Sequence, residues 1–517
     1  MEALGRAESM ARRYKTVLAL LASGSNGTAL AAALLAVAIA VRLGTVAALP
    51  GFHGPDENFQ FFEQAHRFAF GYGIQPWEFR VGIRSVLLPA TFAKLFQWLA
   101  SLGAGPATYI FAARAVLACL SLSIVLSVYE AGRRISAAHG LIGGLVAATW
   151  FELVYFSARP LTDAMAADFL LLGMALATPQ SRETRTSTLA MIGACIGACF
   201  MIRVQLAAGL AVLACWVCRG ELRRRWIPLL LGASIPIGAF AASDWIAWGS
   251  PFHSQLGAVR VNWLDDKASY YGVKPVYWYF AAMIDKWAGA LPFIAALVFL
   301  RRRTSAMWIA VAGAILLSHS LIPHKEYRFV FPAFACLIVV AAWGSADVIE
   351  KIRESFPQWS KTAVASACVS WVLVSLSLAI APGSLSEWSN NRAVIQAEFW
   401  LYRQPSLCGL ILYDYAWRQT GGYAFLHRNI PMYPRPIDKD AMRRADSAAN
   451  FALVKRYSLG DFGSAYRAQY CAGNGEEDLC VIGRPGACAE DDSLHPLLLE
   501  PRLGEETLYD EVIQRSP

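Results

Sequence analysis

The most unusual group of ionisable residues lies in HKEYRFVFPAF, residues 324–334, between two apolar runs. Within five positions this stretch holds His324, Lys325, Glu326 and Arg328. A lysine ammonium and the planar fork of an arginine both bind phosphate oxygens. Cations that anchor the end of a membrane span are the alternative explanation, but this short loop carries more charge than anchoring requires. The stretch therefore predicts a phosphate-binding site with Glu326 beside it.

The acidic pair Asp56–Glu57 is the second candidate group, in GFHGPDENFQFFEQAHRFAFGYG, residues 51–73. After Pro55 the Phe-rich pattern predicts an amphipathic helix that lies at the membrane surface and ends at Gly71. Acidic residues at a helix start can simply cap free N–H groups. A carboxylate at this place can also act as a general base towards an attacking hydroxyl. Asp56 is our first choice for that base and Glu57 the second.

Other polar residues occur inside apolar runs or at their outer ends: Arg159, Asp163, Arg203, Gln205 and Asp244. Ionisable residues within a membrane usually face the interior of the helix bundle, where they pair with each other or line a cavity. A structural Arg–Asp pair is the alternative for any one of them. Their coincidence on one side of the membrane favours a functional site, to which Arg159 would add a phosphate ligand.

Membrane helices must position these candidates, because 56% of the 517 residues are hydrophobic and only 16% are charged. Such a chain is too apolar for an ordinary soluble protein of this size. The sequence predicts an all-α polytopic membrane protein with about 11 transmembrane helices, in a range of about 10–13, because most of its apolar blocks approach the ~20 residues that cross a bilayer. The blocks are 27–49, 108–130, 140–157, 163–178, 188–202, 203–218, 227–247, 281–300, 305–322, 329–347 and 362–382.

Basic loops predict the orientation of these helices. The net charge of +8 comes largely from loops at 133–134, 181–185, 219–225, 301–303 and 350–361. Cytoplasmic loops are enriched in Lys and Arg, and all five loops lie inside if the N-terminus does and if residues 85–103 form an interfacial or re-entrant helix. The first loop, the 324–328 group and the chain after 383 then face outside. We expect the carboxylates near 56 and the cations near 325 to converge on one extracytoplasmic pocket.

Aromatic residues are dense in YYGVKPVYWYF, residues 270–280, which includes Tyr271 and Trp278. An aromatic belt at the membrane interface is the default interpretation, and stacking on a sugar face is the functional one. No Cys or His spacing resembles a zinc site, and no phosphate-cradling P-loop is present. The sequence therefore predicts neither a metal nor a cofactor.

The chain is expected to comprise a transmembrane catalytic domain, residues 1–382, and a small C-terminal extracytoplasmic α/β domain, residues 383–517. Four of the eleven cysteines lie in this tail: Cys408, Cys471, Cys480 and Cys488. An oxidising compartment permits disulfides. Four cysteines allow three pairings, and the sequence does not choose among them.

Taken in order, these segments resemble glycosyltransferase family 22, the membrane mannosyltransferases that include those building GPI anchors and the lipid-linked N-glycan precursor. The similarity runs from about 51 to 335. HGPDENFQFFEQAHRFAFGYG resembles the family's first-loop motif, and PWEFRVGIRSVLLP its Thr-Trp-Glu segment leading to Arg-Ser. SARPLTDAM, IRVQLA, WGSPF, YYGVKPVYWYF and HKEYRFVFP follow in the family's order, and TGGYAFLHRNIPMY at 420–433 adds a weaker similarity.

Two positions depart from the family pattern. Gly54 separates His53 from Pro55, where the family usually has His directly before Pro, so the resemblance assigns no role to His53. Tyr327 stands where many members have a second Glu, which leaves Glu326 as the carboxylate of that motif.

The resemblance implies a GT-C fold and the transfer of mannose, with inversion, from a polyprenyl-phosphate carrier to a hydroxyl of a lipid-linked or membrane-associated glycan acceptor. Cations could neutralise the phosphate leaving group, so a metal is not required. The implied partners are the sugar donor, the acceptor and membrane lipids, without nucleic acid. The substrate-binding candidates are Glu326, Trp77, Glu78, Arg84, Arg203, Gln205, Tyr271 and Trp278.

The predicted location is a bacterial inner membrane with the active site facing the periplasm. The chain has 36 Arg against 10 Lys, and Asn26, its one Asn-x-Ser/Thr site, falls on the predicted cytoplasmic side. The endoplasmic reticulum membrane with a lumenal active site is the alternative. Other functions compatible with the sequence are transfer of a different sugar from the same carrier, a flippase for a lipid-linked sugar, and a non-catalytic subunit.

Overall fold

The computed structural model describes residues 27–178, 184–435, 439–472 and 478–489. The α-helices in these ranges are α1 Gly27–Ala48, α2 Pro55–Glu57, α3 Glu63–Phe70, α4 Trp77–Arg80, α5 Leu87–Ser101, α6 Pro106–Leu120, α7 Leu122–Arg133, α8 Ala137–Thr149, α9 Phe151–Ser157, α10 Thr162–Leu176, α11 Thr186–Ile202, α12 Ala207–Cys218, α13 Ile227–Trp248, α14 His253–Val259, α15 Trp278–Trp287, α16 Leu291–Leu300, α17 Ala306–Ser320, α18 Phe331–Ser355, α19 Ser360–Ala379, α20 Pro382–Ser389, α21 Arg392–Tyr402, α22 Gly422–Leu426 and α23 Lys439–Ala448. The strands are β1 Leu410–Leu412, β2 Met432–Pro434, β3 Phe451–Lys455, β4 Arg467–Ala472 and β5 Leu479–Gly483.

Within the described ranges, six helical runs are long and apolar enough to cross a membrane: Gly27–Ala48, Pro106–Arg133, Arg223–Trp248, Trp278–Leu300, Tyr327–Ser355 and Pro357–Ala379. The pair α8 and α9 is a seventh candidate, bent by 54°. Each of the remaining apolar blocks of the sequence coincides with a shorter helix, namely α10, Thr186–Ile202, Val204–Cys218 or Ala306–Ser320. The helices therefore follow the apolar pattern, and the number that cross the membrane stays a prediction.

The bend between α8 and α9 occurs at Trp150, whose backbone is extended (φ −61°, ψ 128°). Such a break frees backbone carbonyls that need new partners. Arg42 donates to the carbonyl of Ala147 at 3.1 Å, and the Ser375 hydroxyl donates to that of Thr149 at 2.8 Å. Side chains from two other helices thus provide hydrogen-bond donors for the free carbonyls at the end of α8. These hydrogen bonds stabilise the bend.

The chain divides into two compact units. Unit 1 comprises Met1–Thr45, Val116–Phe240 and Val259–Leu385, and unit 2 comprises Val46–Ala115, Ala241–Ala258 and Ser386–Pro517. The centre of unit 1 is α18, which packs against α8, α10, α16 and α17 and whose residues are mostly buried. The domain boundary predicted at 382–383 stays a prediction.

Unit 2 contains a five-stranded sheet of order β2-β1-β3-β5-β4. Strand β1 is parallel to β2 and β3, whereas β5 is antiparallel to β3 and β4. In register, Leu410 pairs with Met432 and Phe451, and Leu453 pairs with Val481. Central strands covered on both faces have nearly continuous apolar sequences, as β1, β3 and β5 do here.

The two faces of this sheet support different elements. Leu410 and Leu412 pack in one cluster with Phe59 of the first loop, whereas Ile411 points to the other face and packs near Ala445 of α23. Successive residues of a strand point to opposite faces, so β1 contributes its two leucines to one cluster and its isoleucine to the other. The sheet is therefore a support for the first-loop helices.

Two disulfides fix the pairing that the sequence left open. Cys408 is bonded to Cys488, and Cys471 is bonded to Cys480 across the β4–β5 pair. The first bond closes most of the tail into one covalent loop, which limits the conformations of the unfolded chain.

Candidate active site

Asp56 and Glu57 are adjacent in α2, but their environments differ. Asp56 is partly buried, whereas Glu57 is fully buried. The Glu57 carboxylate pairs with Arg114 at 2.9 Å and accepts the backbone N–H of His53 at 2.7 Å. Glu57 thus has both oxygens committed within unit 2. Of the two predicted bases, Asp56 is the more accessible to a substrate.

Arg114 was not among the sequence candidates, although it holds this loop in place. Its guanidinium donates to the carbonyls of Pro50 and Gly51, each at 2.9 Å, in addition to Glu57. The signal was an arginine within the apolar helix Pro106–Leu120, because an ionisable residue in such a run usually has a specific partner. Arg114 ties the chain on both sides of Asp56 to α6.

Glu78 lies in the short helix α4 with Trp77, which is half-buried. Gln60 donates to the Glu78 carboxylate at 3.0 Å. Burial raises the pKa of Glu78 above its ordinary value, Arg84 opposes this shift, and the nearby charge of Asp56 adds to it. The structure therefore places Glu78 close enough to Asp56 and to Arg84 for both charges to act on it, within unit 2.

In unit 1, Glu326 is the centre of the HKEYR stretch. Arg328 Nε donates to one carboxylate oxygen at 2.7 Å, and His324 Nε2 contacts the other at 3.2 Å. His324 Nδ1 faces the carbonyl of Gly272 at 3.0 Å. Both ring nitrogens face acceptors, so the imidazolium form fits this place. The hydrogen bond with Glu326 accordingly raises the pKa of His324.

The pKa of Glu326 shifts in the opposite direction. Burial alone would raise this pKa, but Arg328 and His324 outweigh burial and hold it well below its ordinary value. An opposite charge within a few ångströms favours the ionised form of a carboxyl group. Glu326 is therefore a permanent anion that orients two cations.

Arg203 joins this group through an aromatic ring. Its guanidinium lies 4.5 Å from the centre of the Phe329 ring, and the Arg328 guanidinium lies 5.2 Å from the same ring. Arg203 also pairs with Asp163 at 2.8 Å. The structure thus brings together Arg203, Arg328 and His324, three of the cations that the sequence marked.

The ammonium of Lys325 has a different environment. It donates to the carbonyls of Ile322, Lys274 and Pro323, the latter two at 3.0 and 3.5 Å, and the residue is 4% exposed. Three donors directed at three carbonyls hold the turn before the HKEYR stretch. Contact between Lys325 and a phosphate stays a prediction.

The other predicted residues of unit 1 lie as follows. The Arg159 guanidinium stacks 4.1 Å from the Tyr155 ring and is 7% exposed. Tyr271 is 49% exposed, with its ring 6.1 Å from that of His324. Trp278 and Gln205 are half-buried. Tyr271 is therefore beside the cationic group.

Glu152 is a buried carboxylate that sequence reasoning missed. It accepts the indole N–H groups of Trp150 at 2.9 Å and Trp287 at 3.0 Å, and the hydroxyl of Tyr327. The signal was an acidic residue in the apolar run TWFELVYF. Tyr327, which departs from the family pattern, is thus held by a carboxylate from another helix.

The described parts of the chain contain no group of three or more His, Cys, Asp and Glu residues that could hold a metal ion. The metal-independent reaction stays a prediction.

The polytopic helical chain with its small sheet has the GT-C fold of membrane glycosyltransferases. The structure matches ArnT from Cupriavidus metallidurans bound to undecaprenyl phosphate with a TM-score of 0.55 at 12% identity, over 90% of this chain and 100% of that one. The apo state of the same protein matches with a TM-score of 0.53 at 13% identity, over 89% and 98% of the two chains. These matches confirm the predicted fold.

Residues 33–397 match the model of the Alg9-like mannosyltransferase family, and the chain belongs to that family. GPI mannosyltransferase 3 of Yarrowia lipolytica is 26% identical over 416 residues, which cover 77% of this chain and 76% of the relative. GPI alpha-1,2-mannosyltransferase 3 of Xenopus laevis is 27% identical over 320 residues, or 60% of this chain and 58% of the relative. The family resemblance and the mannosyltransferase class predicted from the sequence are confirmed, as is the integral membrane character.

Proposed function

We propose that this protein transfers a mannosyl residue from a polyprenyl-phosphate donor to a hydroxyl of a lipid-linked or membrane-associated glycan acceptor, with inversion, on the extracytoplasmic face of its membrane. The observation that carries the proposal is that Asp56, in a family motif, is only partly buried, whereas the neighbouring Glu57 is fully buried and paired with Arg114. The same proposal includes the division of the chain into a transmembrane catalytic domain, residues 1–382, and a C-terminal extracytoplasmic domain, residues 383–517.

In the proposed reaction, the acceptor oxygen attacks C1 of the mannose and its proton passes to Asp56. The bond between C1 and the phosphate oxygen breaks, and its electron pair stays on the phosphate. Preorganised cations stabilise such developing negative charge, and Arg328, Arg203 and His324 are the grouped candidates, with Arg159 and Lys325 as further ones. Trp77, Glu78, Arg84, Gln205, Tyr271 and Trp278 are proposed to contact the sugars. The reaction is proposed to need no metal.

The location is proposed to be a bacterial inner membrane with the site facing the periplasm, the endoplasmic reticulum lumen being the alternative. The two disulfides of the tail support an oxidising compartment for residues 408–488. The cysteines of the membrane helices are not disulfide-bonded in the described residues.

The test is a transfer assay with the purified full chain in lipid nanodiscs. Undecaprenyl-phosphate mannose would serve as the donor and octyl mannoside as a membrane-soluble acceptor, with the glycosidic product measured by mass spectrometry. We expect a product whose new linkage has the opposite configuration to the donor. If product forms only when undecaprenyl phosphate carries a different sugar, mannose is not the transferred sugar.

The flippase alternative is tested with the same protein in sealed vesicles. Movement of the lipid-linked mannose between leaflets, without formation of any glycoside, would contradict the proposed transferase.

A further inference from the structure

Residues 417–427, WRQTGGYAFLH, form a segment of unit 2 that we call the tail clip. The clip contacts the first-loop helical run 55–70 along its length. Its Trp417 ring meets the Phe59 ring edge-on at 4.6 Å, and the carbonyl of Thr420 accepts from Asn58 Nδ2 at 3.3 Å. One turn after α3 begins, His66 contacts His427 at 2.9 Å.

Two buried carboxylates hold the tail clip by its backbone. Glu63, in α3, accepts the N–H of Ala424 at 2.8 Å with one oxygen and that of Ile74 at 2.6 Å with the other. Glu398, in α21, accepts the N–H of Gly421 at 2.9 and 3.0 Å. A carboxylate bound to peptide N–H groups is a directional contact, so the clip joins α3 and α21 through its main chain.

Two consecutive glycines make this arrangement possible. Gly422 has φ +61°, and a Cβ at that position would lie 2.7 Å from Glu63 Oε2. A Cβ at Gly421 would lie 2.2 Å from Glu398 Oε2. A Cβ at either position would force the nearby carboxyl group to shift from its present place, and the positive φ of Gly422 is itself unfavourable for residues with a side chain. The two glycines therefore leave room for the two carboxyl groups where they now lie.

The run that carries Glu63 also carries Asp56. Residues 55–70 are helical throughout, with a π turn at Asn58–Phe62 between α2 and α3. A π turn adds a residue to a turn and re-aims what precedes it. The tail clip contacts Asn58 and Phe59 within this π turn and Glu63 directly after it, and these contacts limit the directions in which α2 can point.

We propose that the tail clip positions Asp56, with Glu63, Glu398, Gly421 and Gly422 as positioning residues. This inference rests on the proposed function, in which Asp56 receives the acceptor proton. It assigns a role to the TGG motif, which lies more than 360 residues from Asp56 in the chain.

The test compares Gly422→Ala with Gly460→Ala, both in the tail. Gly460 has no atom within 4 Å of an added Cβ, so its substitution is the matched control. A displacement of about 1 Å can cost about 10²-fold in rate. We therefore expect Gly422→Ala to lower kcat per folded molecule by about 10-fold or more while the KM for undecaprenyl-phosphate mannose changes less than about threefold. Glu63→Gln should show the same split.

A merely structural role would lower the melting temperature of Gly422→Ala and leave kcat per folded molecule unchanged, and that result would overturn the inference. A second measurement does not depend on turnover. The thiol of Asp56→Cys would be alkylated with a maleimide and the peptide quantified by mass spectrometry. We expect its rate to differ by about threefold or more when Gly422→Ala is added, and not when Gly460→Ala is added. Equal rates in both backgrounds would overturn the positioning role, whereas an inactive wild type would overturn only the proposed function.

Discussion

Glu63 in unit 2 is fully buried and Glu326 in unit 1 is partly buried, and their surroundings drive their ionisation in opposite directions. Glu63 is bound by two peptide N–H groups, and burial, which those bonds only partly oppose, raises its pKa to about 7. Glu326 is bound by Arg328 and His324, which outweigh burial and lower its pKa. At Glu63 the peptide N–H groups hold the carboxyl group in place without offsetting burial, whereas at Glu326 two cationic side chains favour the ionised form.

The two regions accordingly suit different tasks. A carboxyl group that titrates near neutrality fits a structural junction that needs direction more than charge. A permanently ionised one fits a site where cations must be oriented towards an anionic substrate.

The comparison of Glu63 with Glu326 predicts that the chemical type of the partner sets how much stability is lost when the partner of a buried carboxylate is removed. The unit in which the carboxylate lies should not matter. Glu57 lies in unit 2 but is paired with a guanidinium, so Arg114→Ala should lower the free energy of unfolding by about 3–5 kcal/mol, because it leaves a buried charge unpaired. Arg133→Ala is the control, since its pair with Glu130 is exposed on both sides, and it should cost less than about 1 kcal/mol. Chemical denaturation of the two variants in detergent measures the difference. Equal losses of unfolding free energy in Arg114→Ala and Arg133→Ala would contradict this prediction.

The raised pKa of Glu63 predicts a pH dependence of stability. The folded state holds more protons at Glu63 than the unfolded state does between about pH 4.5 and about pH 7, so its contribution is fully present below about 4.5 and is lost as the pH rises towards 7. The change over this window should be at most about 3 kcal/mol.

The histidine pair beside Glu63 acts in the opposite direction. Burial, with His427 nearby, lowers the pKa of His66 to about 3, so this contribution is lost as the pH falls. The difference between wild type and Glu63→Gln isolates the carboxyl group. The unfolding free energy of wild type minus that of Glu63→Gln should fall as the pH rises. A difference that does not change with pH would contradict a raised pKa of Glu63.

In unit 1, Arg328→Ala should lower kcat/KM for the donor by about 10²-fold, or about 2.7 kcal/mol, because the cation nearest Glu326 is removed from the proposed phosphate site. Arg302→Ala is the control, because this exposed arginine lies in the basic 301–303 loop. The transfer assay measures both. If Arg302→Ala lowers kcat/KM as much as Arg328→Ala does, the effect comes from the overall positive charge of unit 1 and not from a phosphate site at Arg328.

The smallest expected effect is that of metal removal. Guanidinium groups can neutralise the phosphate leaving group, so excess EDTA should leave the transfer rate unchanged. Loss of transfer in EDTA with recovery on adding Mg²⁺ or Mn²⁺ would contradict the proposed role of the cations.

Local features of this fold were predictable from the sequence. The apolar blocks match helices, and Gly71 ends α3 in the left-handed conformation (φ 84°), as its position predicts. The grouping of charge at 324–328 was visible because charged residues are rare in apolar runs.

Long-range pairings were not predictable. Glu57 resembles Asp56 in sequence, and only Arg114, 57 positions later, makes it a buried ion pair. The contact of Glu63 with Ala424, the Cys408–Cys488 disulfide and the contact of Glu152 with Trp287 likewise join segments far apart in the chain. A single sequence carries no information on which of many compatible partners meet.

The most direct measurement is the turnover of Asp56→Asn in the mannosyl-transfer assay, because this substitution keeps the shape of the side chain and removes its basicity. Asp265→Asn, which changes an exposed carboxylate between α14 and α15, is the matched control. The account predicts a loss of about 10²-fold or more for Asp56→Asn and none for Asp265→Asn. Wild-type turnover in a folded Asp56→Asn protein would contradict it.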